Sequence, residues 1–284
     1  MQLLVSNYDK YTEKERVMKN YIFMCDWVGV PFFAFMYVTL FGALSGGNDR
    51  ISLDVEGGPW EYVCTFLAIL ALYQHLRVSP CPLEENVEMF AVMSKIGRWV
   101  FLTRQVLCLQ AVHFVLSFLS TRVENLHWLI GVTHTAAVFI AGLGIFVTVQ
   151  YFTLVSPDKD FAVDCTAWLK RGVNFRLIQD FVHIPAGFIA IMDIMLVKNK
   201  VLLQETSVPM QDMLLYFFLF TLYYLSLVHV NYHMTKQWPY GMLKKLGLSP
   251  VKWAKFTVIQ FMILSVFLSI AVAIVRYRVN GSLY

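Results

Sequence analysis

Seven unbroken apolar runs, near residues 21–44, 61–78, 99–120, 127–155, 173–197, 212–233 and 253–276, limit what this chain can fold into. A helix of about 20 apolar residues crosses the ~30 Å hydrocarbon layer of a bilayer. Composition points the same way: 58% of the 284 residues are hydrophobic and 15% are charged, where a soluble domain carries about 25% charge. A water-soluble fold is excluded. The expected architecture is all-α, a polytopic transmembrane helical bundle of about seven spans.

The run at 61–78 is the doubtful one, because it is short and holds Gln74 and His75, as a re-entrant or interfacial piece would. Charge decides, since cytosolic loops carry the excess of Lys and Arg. Seven spans put Lys10, Lys14, Arg16, Lys19, Arg77, Lys95, Arg98, Lys159, Lys170, Arg171, Lys236, Lys244, Lys245 and Lys252 on one side, fourteen in all. Six (Arg50, Arg122, Lys198, Lys200, Arg276 and Arg278) fall on the other. Without the run the split becomes 9 against 11. Seven spans are therefore expected, with the N-terminus on the positive side and Asn48 and the C-terminus opposite. The parts are a charged tail (1–20), a helix at 21–44, a six-helix unit over 61–276 and a tail at 277–284. Gly131, Ala136, Ala137, Ala141, Gly142 and Gly144 let a neighbouring backbone come close, which places the 127–155 helix inside the bundle.

The net charge of +4 is dispersed among the runs and forms no basic block, so nucleic acid is not an expected partner. Cys25, Cys64, Cys81, Cys108 and Cys165 are odd in number, without a Cys-x-x-Cys pair, which indicates neither disulfides nor zinc. No metal or cofactor is expected, and membrane lipids are the expected surroundings. The first 20 residues mix acids with bases, unlike a cleaved signal or an acid-poor transit peptide. An endomembrane or plasma membrane location is expected, and a mitochondrial inner membrane reached by internal signals is the alternative.

Polar residues at membrane depth are costly and mark sites by default. Arg176, Asp180 and His183 recur at i, i+4 and i+7, within about 60° on one helix face, and Gly187 extends the stripe. One reading is an Arg176–Asp180 ion pair beside a His183 that bonds a neighbouring helix. The other has Asp180 orienting the imidazole, leaving a ring nitrogen free as a general base. A second stripe, Thr103, Gln110 and Ser117, has period seven. A membrane threonine such as Thr103 ordinarily bonds the carbonyl four residues back, here Trp99. His113 and His183, about 6 Å apart in depth, are the best pair for a haem iron. His229 and His233 fall at the edge of their span.

The stretch from Arg98-Trp99 through Thr103 to Leu109-Gln110 resembles the androgen-induced membrane protein family, whose helix opens with Arg-Trp, then a Thr, then Leu-Gln. Gln179-Asp180-Phe181-Val182-His183 looks like that family's histidine helix. Tyr224, Asn231, Trp238-Pro239-Tyr240 and Leu243 look like its penultimate helix and loop. The resemblance covers roughly residues 62–276 and implies an intramembrane threonine hydrolase of fatty acid esters of hydroxy fatty acids. It places the nucleophile on Thr103 and the base on His183. Asp180 and Gln110 would support them, and Arg98, Arg104 or Arg176 would hold a substrate carboxylate at headgroup level.

The sequence also departs from the pattern. The family's Asn-His-x-x-His-Thr is here Gln179, Asp180, His183 and Ile184, without the first His and the closing Thr. If the two helices start level at Arg98 and Gly172, Thr103 and His183 differ by roughly 9 Å in depth. These departures keep a second function class open: a catalytically silent accessory subunit of a large membrane complex, held to other subunits by the 21–44 helix and the charged tail. A channel or transporter is disfavoured by the lack of broken-helix pairs and repeated halves.

Overall fold

The structure, a computed structural model, describes residues 11–45, 57–78 and 81–281. Its helices, in chain order, are α1 (Glu13–Leu44), α2 (Pro59–Tyr73), α3 (Val87–Ile96), α4 (Leu102–Ser120), α5 (Leu129–Gln150), α6 (Lys159–Lys170), α7 (Phe175–Met192), α8 (Lys200–Glu205), α9 (Met210–Thr235), α10 (Gly241–Lys244) and α11 (Pro250–Asn280). No strand occurs among the described residues. One π-helical turn continues each of α2 (Gln74–Val78), α5 (Tyr151–Val155) and α7 (Asp193–Val197). Six stretches are long and apolar enough to cross a membrane: α1, Val87–Ser120, Leu129–Val155, Phe175–Val197, α9 and α11. The chain is an integral membrane helical bundle.

The doubtful span, α2 with its π turn, runs antiparallel to α4 over the same depth. Near its start Glu61 takes a bond from Ser117 (3.3 Å), in the last turn of α4, and an ion pair from Arg122 (2.6 Å), just past that helix. Past its end His75 meets Arg104, in the first turn of α4, at 2.7 Å. This helix therefore lies alongside α4 from one end to the other, beside the six long apolar helices.

Ion pairs join the segments that the charge count assigns to the positive side, here called the proximal face. Lys14 pairs with Glu84 (2.8 Å), and Arg171 pairs with Glu15 (2.9 Å) and Glu85 (2.6 Å). Lys244 pairs with Glu88 and with Asp160 (3.4 Å). The start of α1, the α2–α3 connection, α6 and α10 thus meet at one end of the bundle. Arg122 and Lys198 sit toward the other, distal end. Asn48, Arg50, residues 1–10 and residues 282–284 lie outside the described residues.

Two boundaries differ from expectation for local reasons. α1 starts at Glu13, eight residues early, because Thr12 and Glu15 form a reciprocal capping box: Thr12 Oγ1 accepts from Glu15 N–H (3.2 Å), and a Glu15 carboxylate oxygen accepts from Thr12 N–H (2.8 Å). The end of the expected charged tail is therefore helix, with Glu15 buried. The third span begins at Leu102 instead of near Arg98. Gly97, at φ +62°, stops α3, and a 3₁₀ turn over Gly97–Val100 leads into α4.

α5 is buried nearly all round and packs against α1, α4, α7 and α11. Its approach to α7 depends on two glycines. A Cβ at Gly144 would overlap the Ala186 carbonyl and lie 2.6 Å from Gln110 Nε2, and one at Gly187 would lie 2.9 Å from Thr148 Oγ1. Small residues let these two backbones meet.

Candidate active site

Thr103 occupies the second position of α4, so its side chain depends on how the link before the helix is held. Arg98 in that link is buried, donates to Leu76 O (2.9 Å) and lies 3.6 Å from Asp26. The Trp99 indole donates to Cys25 O (3.1 Å), stacks on Phe33 and rests on the bare Gly29 of α1. The Trp99 carbonyl is taken by Gln105 Nε2 at 2.7 Å. Thr103 Oγ1 instead points across to α7, where it lies 3.0 Å from His183 Nε2. The recessed start of α4 removes the depth mismatch expected from level helix starts.

His183 is fixed on four sides. Its Nδ1 lies 2.7 Å from Gln179 O one turn earlier. A carbonyl only accepts, so Nδ1 carries the hydrogen, and in the neutral ring Nε2 presents its lone pair to the Thr103 hydroxyl. Thr148 of α5 donates to His183 O (2.7 Å) and accepts from Gly187 N–H (2.9 Å), pinning the helix at this residue. Tyr151, first residue of the π turn after α5, stacks flat on the imidazole with centroids 3.9 Å apart. The Tyr151 hydroxyl donates to Asp180 at 2.7 Å.

The supporting residues expected from sequence divide. Asp180 bonds Tyr151, and Arg176 bonds Ser156 (2.9 Å), so the Arg176–Asp180 ion pair does not form. Gln110 donates to Ala186 O (2.7 Å) and ties α4 to α7 one turn beyond the histidine. Arg104, fully buried, pairs with Asp26 and donates to His75. One carboxylate on α1, Asp26, thus lies in ion-pairing range of both Arg98 and Arg104.

Two cavities meet at Thr103 and His183. The first, between α5, α9 and α11, is apolar, with Phe146, Phe220, Leu225 and Leu264 among its lining. The second opens toward the proximal face, and its walls include Asn86, Asp158, Asp160, Asp164 and Gln179. Burial raises the Asp164 carboxyl above the ordinary carboxylate range, opposed by the bond from Asn86. Tyr240, on the loop after α9, lines both cavities and accepts a bond from Leu102 N–H (3.1 Å). Burial raises its phenol above the ordinary value, so the hydroxyl keeps its proton.

A scan against protein families matches residues 64–277 to the FAR-17a/AIG1-like protein family. This chain belongs to that family. None of the curated proteins compared, and none of the solved structures, matches it. The FAR-17a/AIG1-like match begins within α2 and leaves α1 outside, although α1 carries the Asp26 that pairs with Arg98 and Arg104.

A second buried polar chain lies toward the distal face. Tyr37 bonds His113 Nδ1 (2.6 Å), and His113 Nε2 bonds Asp193 (2.8 Å). Lys198 lies 3.8 Å from Asp193 and donates to Ser117 (2.6 Å), which donates to Glu61. Both nitrogens of His113 are occupied, as are both of His183, so the pair does not face a shared iron. Asp26, Tyr37, Tyr151 and Asp193 escaped sequence reasoning, and Tyr240 was read only as part of the aromatic loop. Asp26 and Asp193, acids within apolar runs, were the available signal for this buried ion pairing.

Proposed function

We propose that this protein is an intramembrane lipid-ester hydrolase in which Thr103 is the nucleophile and His183 the general base. One observation carries the reading: the Thr103 hydroxyl sits 3.0 Å from His183 Nε2 while a carbonyl holds the proton on Nδ1. A threonine hydroxyl is a weak nucleophile at neutral pH and needs an adjacent base. His183 takes its proton as Oγ1 attacks an ester carbonyl, then returns it to the departing alkoxide. Water attacks the resulting acyl-threonine by the same route, releasing a fatty acid.

The two cavities supply the path. The acyl chain lies in the apolar cavity between α5, α9 and α11, and the alcohol portion leaves by the polar cavity. The protein would work in an endomembrane or plasma membrane with its proximal face toward the cytosol. Turnover of a long-chain ester by purified protein, lost in Thr103→Ala and in His183→Ala, is the expected result. Wild-type turnover no higher than that of Thr103→Ala would leave the silent-subunit reading in its place.

A further inference from the structure

We infer that the Tyr240 hydroxyl is the oxyanion donor of this site, a catalytic role that rests on the Thr103–His183 reading. Attack on an ester carbonyl moves its π electrons onto oxygen, and a preorganised donor at that point is commonly worth 10²- to 10³-fold in rate. The candidate must border both cavities beside Thr103, and its hydrogen must be free to turn toward the substrate.

Three tyrosines approach the dyad, and the hydrogens of two are committed. Tyr151 donates to Asp180 (2.7 Å), and Tyr224 donates to Val100 O (3.2 Å). Tyr240 differs in polarity. Its oxygen is the acceptor for Leu102 N–H, one residue from the nucleophile, with the Tyr224 and Thr103 hydroxyls bordering the same oxygen, and its own hydrogen is left to donate. That N–H belongs to the first residue of the 19-residue α4, so the positive end of the helix dipole polarises the phenol. The Phe101 ring packs edge-on to the Tyr240 ring at 5.5 Å and fixes its direction.

In the proposed step the Thr103 Oγ–carbon bond forms, the threonine proton passes to His183 Nε2, and the carbonyl oxygen becomes an anion bonded by Tyr240 O–H. Tyr240 keeps its proton throughout. Collapse restores the carbonyl and breaks the bond to the alcohol oxygen, which takes the proton from His183.

The test compares wild type, Thr103→Ala and Tyr240→Phe as full chains in detergent, using a fluorophosphonate, a long-chain trifluoromethyl ketone and palmitate. The expected result is labelling slowed about 100-fold in Tyr240→Phe. Ketone affinity, which depends on a tetrahedral adduct, should fall in parallel while palmitate affinity is unchanged. Labelling within threefold of wild type overturns the Tyr240 assignment and leaves the dyad standing. A matching loss of palmitate affinity also overturns it, because Tyr240 would then only shape the cavity. Wild type that fails to label, or a label that survives Thr103→Ala, overturns the dyad and the Tyr240 role together. If the phenylalanine variant does not fold, 3,5-difluorotyrosine at position 240 gives the same decision. Labelling must then fall as rising pH ionises the more acidic phenol, and a profile parallel to wild type overturns the role.

Discussion

Tyr151 lies against His183 with the two rings 12° from parallel, and its hydroxyl ends on Asp180. The acid three residues before the histidine is therefore linked to it through a tyrosine of the π turn after α5. Asp180→Asn weakens one hydrogen bond and is expected to cost about 1 kcal/mol, roughly fivefold in rate. Tyr151→Phe keeps the stack and loses the same bond, so the double variant should be no slower than the worse single one. Steady-state rates of the three variants check this, and additive losses would show that Asp180 acts independently of Tyr151.

Asp26 is the only carboxylate in ion-pairing range of both Arg98 and Arg104 among the described residues. Asp26→Ala leaves two buried guanidinium groups uncompensated, and removing one partner of a buried pair typically costs about 3–5 kcal/mol. The variant should melt well below wild type in detergent. A melting temperature within a degree or two of wild type would mean that α1 contributes little to the bundle.

The distal cluster should prove structural. Lys198→Met removes the cation beside Asp193 and the donor to Ser117, with an expected loss of about 3–5 kcal/mol. The variant that remains folded, isolated by gel filtration, should still carry out the Thr103 chemistry at close to the wild-type rate. A rate loss tenfold or greater in that folded fraction would couple the distal cluster to the dyad.

The long spanning helices were legible because hydrocarbon thickness sets the length of each apolar run. Thr103 and His183 were legible as short motifs expected to face one another, but the backbone geometry that brings them together was not. It depends on Gly97 ending α3 and on Arg98 and Trp99 docking against α1, so that α4 starts inside the protein. Hydrophobic periodicity carries no record of that recess. Tyr151 and Asp193 were hidden for a related reason: each opens a π turn, which rotates side chains away from the 100° spacing on which helical stripes are drawn. Asp180 was read as a partner of Arg176 or of His183, yet it bonds Tyr151 just past α5, and a pairing between segments is set by packing that local spacing does not encode.

The account stands most directly on one covalent adduct. Purified wild-type protein treated with a fluorophosphonate, digested and analysed by mass spectrometry, should carry the phosphonyl group on Thr103. The adduct should be absent from Thr103→Ala and strongly reduced in folded His183→Ala, while Thr103→Ala keeps a melting temperature close to wild type, since one hydroxyl is worth about 1 kcal/mol. No adduct on folded wild-type protein, or an adduct on a residue other than Thr103, would contradict the hydrolase.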